Sequence, residues 1–450
     1  MTANRAEFSS KLAFILAASG SAIGLGNIWG FPIQVAQNGG GAFVVTYVIL
    51  TFLLAYPILM TELVIGRYAK RDVVSSLELI SGPKARILGL MTGYWGIATA
   101  SLILSFYAIV AGWMIAFGLS GVFDILAMND VSIWLKEFSL YRNLVFGLIF
   151  YLFTIHIVAN GVASGIERWT TRLMPILIIL ILVLIAYVAT QAGAKEGWEL
   201  YLKPDFSQIS NPDLILSALG QAFFSLSLGV GTMMIYGSYI KRSENLVRLG
   251  ISVAIIDVGI AFLAGLLIIP AMTVALHNGV EIYNEAGKLI DSDGLIFTVL
   301  PALFEKMEIA GSILTVLFFT LMTIAAVTSS ISMLEVPVAY VNERHKVKRK
   351  SAAYLVGCII LSISVIIMFN FVALFGLVID ITTKYSEPLI GLLFCLFVGW
   401  VWSRQQILSE IKQGMPEAER SLFWRIWPSY IKFVCPVIMC LLFWHTIIPK

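Results

Sequence analysis

The 450-residue chain is short of charge: 13% of its residues are Asp, Glu, Lys or Arg, against about 25% in an ordinary soluble domain. Scarcity on that scale excludes a soluble enzyme, a disordered tail and a nucleic-acid binder, and a net charge of +3 offers no basic footprint. Cysteine is scarce as well. Cys358, Cys395, Cys435 and Cys440 lie in apolar stretches without CxxC spacing, so they read as packing residues rather than redox or zinc groups. His156, His277, His345 and His445 are scattered and make no metal motif. HExxH, GxSxG and P-loop patterns are missing, which argues against an intramembrane hydrolase or an ATP-driven pump. No nucleophile–base set suggests any other enzyme.

What is present is apolar. Hydrophobic residues make up 59% of the chain and fall into eleven runs, most near or above the roughly 20 residues a helix needs to cross a bilayer. They run approximately over 11–37, 41–69, 87–123, 142–159, 166–190, 213–239, 246–276, 309–341, 350–369, 371–402 and 428–447. The pattern predicts an all-α integral membrane protein with 11 transmembrane helices in a single domain over 1–450. The first run does not read as a cleaved signal peptide: its apolar core, Leu12 to Ala18, is short, and Gly and polar residues continue to Asn27. If the N-terminus is cytoplasmic, most of the 30 basic residues fall inside, including the cluster from Arg344 to Lys350. Glu281, Glu285, Asp291, Asp293, Glu305 and Glu308 then crowd one outer loop, and the odd span count puts the C-terminus outside.

Two runs are interrupted alike. The first contains Gly20-Ser21-Ala22-Ile23-Gly24-Leu25-Gly26-Asn27, and the sixth contains Ser225-Leu226-Ser227-Leu228-Gly229-Val230-Gly231-Thr232. Each Gly weakens a helix by about 1 kcal/mol relative to Ala, so several together with polar neighbours unwind a turn. Unwound backbone survives at membrane depth only where it faces protein or a wet cavity. An odd number of spans per repeat inverts the second copy. Broken helices at matching positions in inverted halves point to a secondary transporter with its site near the midplane. Small-residue helix packing is the plainer reading, but it does not call for Asn27 or Ser225. Of the embedded acids, Glu62 and Glu335 read as interhelical hydrogen-bond partners and Asp257 as a functional group.

Gly24-Leu25-Gly26-Asn27-Ile28-Trp29-Gly30-Phe31-Pro32, Asn38-Gly39-Gly40-Gly41-Ala42-Phe43 and Glu62-Leu63-x-Ile65-Gly66-Arg67-Tyr68 together resemble the neurotransmitter:sodium symporter family. The resemblance continues through Gln221-x-Phe223-Phe224-Ser225-Leu226-Ser227-Leu228-Gly229 and Thr328-Ser329-Ser330, and the eleven spans are similar to a bacterial subgroup that carries hydrophobic amino acids. It implies a LeuT-type fold: two inverted five-helix repeats, about 11–190 and 213–402, plus one extra span at about 428–447. It also implies Na⁺ at two sites. One would use the Gly20, Ile23 and Ala325 carbonyls with the Thr328 and Ser329 hydroxyls, although such hydroxyls alone more often bond back to their own helix. The other would use the Ala22 carbonyl, Asn27, Ser225 and Asp257, completed by the substrate carboxylate. Asp257 departs from the family's usual Asn, and Ala261 stands where many bacterial members have Glu. The resemblance therefore implies that Asp257 supplies the charge that chloride supplies in animal members.

For the substrate, the resemblance implies that the Leu25 and Gly26 amides and the Tyr107 hydroxyl hold a carboxylate, while Ala22 and Phe224 carbonyls with Ser225 and Ser227 hold the ammonium. Gly24 stands where monoamine carriers have Asp, which favours an amino acid over an amine. Ile103, Tyr107, Phe224, Val230, Ser329 and Met333 are expected to line the side-chain pocket. Outer-gate Arg and Asp are absent at Gly30 and near Thr383, so Tyr107 and Phe224 are expected to seal that side. Arg5 and Glu343, with Tyr239, match an inner ion pair. Gly165 and Pro175, in a Gly-x9-Pro spacing, imply that span 5 unwinds to open the inner route. The expected function is Na⁺-coupled import of hydrophobic L-amino acids, aromatic and branched ones included, across the cell membrane by alternating access. A carrier of another amine or osmolyte and a non-transporting amino-acid sensor are the rival readings.

Overall fold

A computed structural model describes residues 5–283 and 294–447. Glu285, Asp291 and Asp293 of the acidic loop, and the side chain of His445, lie outside the described residues. Among those described, nine helices are long and apolar enough to cross a bilayer, and a bent pair makes a tenth. Span 1 is the pair Lys11–Ala22 and Gly26–Gln37, span 2 is Gly41–Ala69, and span 3 is the apolar part of Val73–Ile125. Spans 4 and 5 are Leu140–Ala159 and Val162–Val188. Span 6 comes as two short helices, Pro212–Ser225 and Thr232–Ser238. Spans 7 to 11 are Leu246–His277, Glu308–Arg344, Arg349–Phe369, Phe371–Val401 and Leu422–Trp444. Each of the eleven apolar runs thus has its helix. The boundary that moves most is at span 3, where a capped lead-in begins at Val73, with Asp72 accepting from the Ser75 amide at 3.0 Å. Gly82 (φ 59) then breaks the helix, and the membrane-crossing part follows it.

Spans 1 and 6 form the centre. Residues 17–28 and 225–240 are buried without exception, whereas one side of spans 4, 5, 9 and 10 carries exposed apolar residues, as lipid-facing helices do. Span 8 packs along span 3 and beside span 1. Span 1 starts on a Ser10 cap, stops where Ile23 turns extended (φ −72, ψ 101), and resumes at Gly26 with its axis bent by 57°. Span 6 stops at Ser225, passes through left-handed Ser227, Gly229 and Gly231, and resumes at Thr232. That backbone is costly for residues with a Cβ and cheap for Gly, so the glycines set where the helix breaks.

An unwound turn at this depth must find partners for its amides. Glu62 of span 2 supplies them, accepting from Gly229 at 2.8 Å and Met234 at 3.3 Å. Glu335 of span 8 accepts from the Tyr239 hydroxyl at 2.5 Å and from Arg349 at 2.6 and 3.0 Å. Both acids are the interhelical partners that the sequence suggests.

Candidate functional site

The break in span 1 brings Asn27 against the end of the first helix of span 6 and the middle of span 7. The Asn27 side-chain amide donates to Ser225 Oγ at 2.8 Å and to Asp257 Oδ1 at 2.7 Å. Ser225 Oγ donates to Asp257 Oδ2 at 2.8 Å, and the Tyr47 hydroxyl of span 2 reaches Ser225 at 3.0 Å. Asn27, Ser225 and Asp257 are fully buried. A lone carboxylate at this depth is costly unless charge or hydrogen bonds answer it, and here three donors surround it. The cluster offers one negative charge and several oxygens in a dry setting, which suits a small cation. The Asn27 amide oxygen accepts from the Gly24 amide at 3.3 Å, on the side facing the span 1 break. Sequence reasoning missed Tyr47, an aromatic in an apolar run that nothing in the sequence sets apart.

The second oxygen set lies where span 8 passes the other side of the same break. Ser329 Oγ donates to the Ser21 carbonyl at 2.9 Å, and a Cβ built on Gly20 would sit 3.2 Å from Thr328 Cβ. The Ile23 carbonyl is released as the helix stops there. Thr328 Oγ1 bonds back to the Ile324 and Ala325 carbonyls, both at 3.1 Å. Gly20 and Thr328 are thus neighbours across the two helices, and the Thr328 hydroxyl follows its own helix in this structure. Ser21 is an unforeseen hub: its carbonyl also accepts from Ser227 at 3.3 Å, and its hydroxyl donates to Ser332 at 2.6 Å.

Between the two sets is a small cavity of about 20 Å³, with Ala22, Leu25, Gly26, Ile103, Tyr107, Phe224, Ser227, Ser329 and Met333 on its walls. Nine of the eleven residues expected to bind substrate therefore meet there. The Leu25 amide donates to the Tyr107 hydroxyl at 3.0 Å, so a carboxylate would displace or share that bond. Gly24 is squeezed between Tyr107 and Ser329: a Cβ on it would lie 2.6 Å from the Tyr107 hydroxyl and 2.9 Å from Ser329 Oγ. Two of the eleven are off the wall of this closed cavity. Val230 is buried but is not on the cavity wall, because left-handed Gly229 and Gly231 on either side turn the chain away from a helical face. Ser225 also leaves the wall, its hydroxyl being drawn to Asp257. Two wall residues were missed, Phe106 and Glu387.

On one side the cavity is separated from an open vestibule of about 580 Å³ by Phe224, whose ring atoms come within 2.9 Å of a Cβ built on Gly26. On the opposite side the N-terminal segment is strapped across the ends of spans 5, 6 and 8. Arg5 pairs with Glu343, donates to Ser238 Oγ at 2.9 Å and lies 4.8 Å over the Tyr239 ring. Phe8 wedges among Phe14, Tyr236 and Tyr239, and the Ser9 amide donates to Glu167 at 3.0 Å. Span 5 is wound throughout 162–188, with Pro175 inside the helix, so Gly165 and Pro175 bracket no unwound stretch in this structure. Gly165 has a packing reason of its own: a Cβ there would meet the Ile157 carbonyl of span 4 at 2.0 Å. Met174, next to Pro175, is buried with its sulfur 3.1 Å from a Cβ position on Gly20, beside Thr328.

The chain is similar to known proteins over nearly its whole length. The profile of the Sodium:neurotransmitter symporter family matches residues 5–139 and 137–450. The chain is 33% identical to an uncharacterized sodium-dependent transporter, YhdH, of Bacillus subtilis (strain 168), over 98% of this chain and 97% of that one. It is 22% identical to sodium-dependent nutrient amino acid transporter 1 of Drosophila persimilis, covering 99% of this chain and 75% of that one. Among solved structures, MhsT in complex with L-phenylalanine superposes with a TM-score of 0.83 at 34% identity, over 98% of this chain and 100% of that one.

Proposed function

The chain belongs to the sodium:neurotransmitter symporter family, and from that membership we propose that it imports hydrophobic L-amino acids, aromatic and branched aliphatic ones included. It is a sodium-coupled membrane transporter with a LeuT-type fold, not an enzyme. Halves 11–190 and 213–402 are read as inverted repeats within one domain, span 11 lying outside them. The N-terminus is placed in the cytoplasm and the C-terminus and vestibule outside, in line with the distribution of Lys and Arg.

The observation that carries the substrate reading is the joining of the cavity to two oxygen sets through one broken helix. Asn27 ends the turn whose Leu25 amide faces the cavity, and its side chain enters the Asp257 cluster. A substrate carboxylate bound by that turn would complete the ion site, so ion and substrate strengthen each other, a linkage that works equally in both directions. Two sodium ions are assigned as co-substrates, one at Ala22, Asn27, Ser225 and Asp257, the other at Gly20, Ile23, Ala325, Thr328 and Ser329. Ile103, Phe106, Phe224 and Met333 supply apolar walls, and the neighbouring structure's L-phenylalanine fits that character. The walls leave room for about one water in the closed state, so Phe224 must swing aside to admit a side chain.

The test is binding of labelled L-leucine and L-phenylalanine to the purified full-length protein in Na⁺ and in K⁺. Na⁺-dependent binding, weakened along with Na⁺ affinity in Asn27→Ala, is expected. Equal affinity in K⁺ would sink the coupling.

A further inference from the structure

Spans 10 and 11 run side by side in opposite directions, and two close approaches set their register. A Cβ built on Gly391 of span 10 would lie 3.8 Å from Met439 Cε of span 11, and one built on Gly399 would lie 2.8 Å from the Lys432 Cα. The Trp400 indole N–H, beside Gly399, donates to the Lys432 carbonyl at 3.0 Å. Cys395 stands halfway between the two glycines, and Cys435 falls between their two partners, so the register sets the cysteines face to face. Their thiols are within hydrogen-bonding reach of each other. Both are fully buried, and the Met439 side chain, one turn further along span 11, is buried as well. Cys358 and Cys440, by contrast, are exposed and single.

Two thiols and a thioether on one seam are soft donors. Packing alone asks only for small apolar side chains there, and a thiol facing a thiol gains little from so weak a donor and acceptor. The donor set also narrows the ion that would suit it. Structural Zn²⁺ takes four ligands, and among the described residues no three His, Cys, Asp or Glu side chains gather where they could hold a metal. Mg²⁺ and Ca²⁺ need six or more oxygens. Two sulfurs facing each other suit a monovalent soft ion content with two ligands, which is Cu⁺. A metal-bound thiol loses its proton. Cu⁺ and two S–H groups therefore give S–Cu–S with a net charge of −1 and release two protons. A charge in an apolar seam is costly unless answered. The seam carries its own cation, Lys432, about one turn before Cys435 on the same helix, with its Nζ 4.4 Å from the Trp400 ring centroid.

We infer that Cys395 and Cys435 form a binding site for Cu⁺, held between the two sulfurs across the seam of spans 10 and 11, with Met439 beside them as a further soft donor. The site is separate in place and in chemistry from the oxygen sets assigned to sodium, a hard ion that does not compete for sulfur. An ion there joins the two spans at the level where span 10 receives span 6, since a Cβ on Gly391 would meet the Phe223 ring at 2.5 Å.

The experiment uses the full-length protein in detergent, reduced and kept free of oxygen, with Cys358 and Cys440 replaced by serine so that only the buried pair remains. It is equilibrated with the coloured Cu⁺–bathocuproine disulfonate complex, whose loss of absorbance counts the copper taken up. One copper per protein is expected. Loss of an outer partner alone costs a metal site about ten- to a hundredfold, so Cys395→Ser and Cys435→Ser, each removing a ligand, are expected to weaken uptake by about a hundredfold or more. Met439→Leu is expected to weaken it by about tenfold at most. X-ray absorption of the copper-loaded protein should show two sulfur neighbours, or three if Met439 joins. No uptake by the protein that keeps the pair, uptake unchanged in both serine variants, or nitrogen and oxygen neighbours around the copper overturns the inference. Zn²⁺ bound as tightly as Cu⁺ overturns it too. The neighbour count is read on the protein with the pair intact, so it stands even where a serine variant fails to fold.

Discussion

Toward the vestibule the central cavity is bounded by Phe106, Phe224 and Glu387, with the half-buried Phe224 ring lying on Gly26, whereas toward the N-terminus it is covered by layers. There Met174 packs on Gly20 beside Thr328, Phe8 and Tyr239 meet edge to face, and Arg5–Glu343, Glu335–Arg349 and Lys70–Glu7 tie the helix ends together. At the end of span 2, fully buried Arg67 binds Glu410 at 2.6 Å and the Glu244 carbonyl at 2.5 Å. A single ring on glycine moves with one rotamer change and little backbone work. A network of charged groups opens only when several bonds break together, and partly buried charge-assisted bonds contribute about 1.5–3 kcal/mol each. The contrast teaches which side is the easy one: in the described conformation the molecule is poised to exchange with the vestibule and locked against the strapped side.

The largest effect is expected where the lock is cut. Arg5→Ala removes the Glu343 pair and the Ser238 bond together and should move the population toward a state open on the strapped side by about ten- to a hundredfold. The gauge is the reactivity of Met174→Cys toward a small thiol reagent, with exposed Cys358 and Cys440 replaced by serine. No rise in labelling means that this pair does not hold the closure.

Between the two closures sits Asp257. Wild-type transport should not need chloride, and Asp257→Asn should lower Na⁺ affinity by about tenfold or more and create a demand for an added anion, because the variant removes the cluster's one negative charge. Replacing chloride with gluconate is the check, and a wild type that stops working there removes the charge argument.

Phe224→Ala cuts the thin cover. Loss of a ring over the site should speed substrate dissociation by about tenfold while Met174→Cys labelling stays at its wild-type level. If both change together, the two closures are mechanically one and the comparison fails. The smallest effect is expected at Pro175. Restoring its missing amide in Pro175→Ala should slow transport by about two- to fivefold, with equilibrium binding of Na⁺ and leucine retained, because span 5 then unwinds less readily. Wild-type turnover in a well-folded variant would dismiss the span 5 gate.

How far the chain could be read without its structure follows the type of feature. The broken spans were legible because glycine clusters are local: Gly24 and Gly26, Gly229 and Gly231 mark the unwound turns directly. Asp257 stood out as a charge inside an apolar run, and Arg5 with Glu343 came through resemblance alone. Glu387 was not legible, since next to Pro388 it looks like an ordinary charge near a helix turn, and its place on the cavity depends on span 10 lying against Gly229. Val230 was expected through resemblance alone, and nothing in the sequence tells that it sits off the wall of the closed cavity. The strap's other bonds, Ser9 to Glu167 and Lys70 to Glu7, join residues far apart in sequence with nothing in either segment to announce the other.

The 20 Å³ cavity has an electrical consequence. It has room for about one water molecule, and on either side of it Asn27, Asp257 and Thr328 are without solvent exposure. Among the described residues, the packing between the vestibule and the strap leaves no room for a continuous column of water, so hydrated sodium has no open way through the closed molecule. The protein in this state is an insulator set in an insulating bilayer. The voltage and the ion gradient that drive the cycle are spent only when a loaded site changes sides, and do not bleed away while the transporter waits.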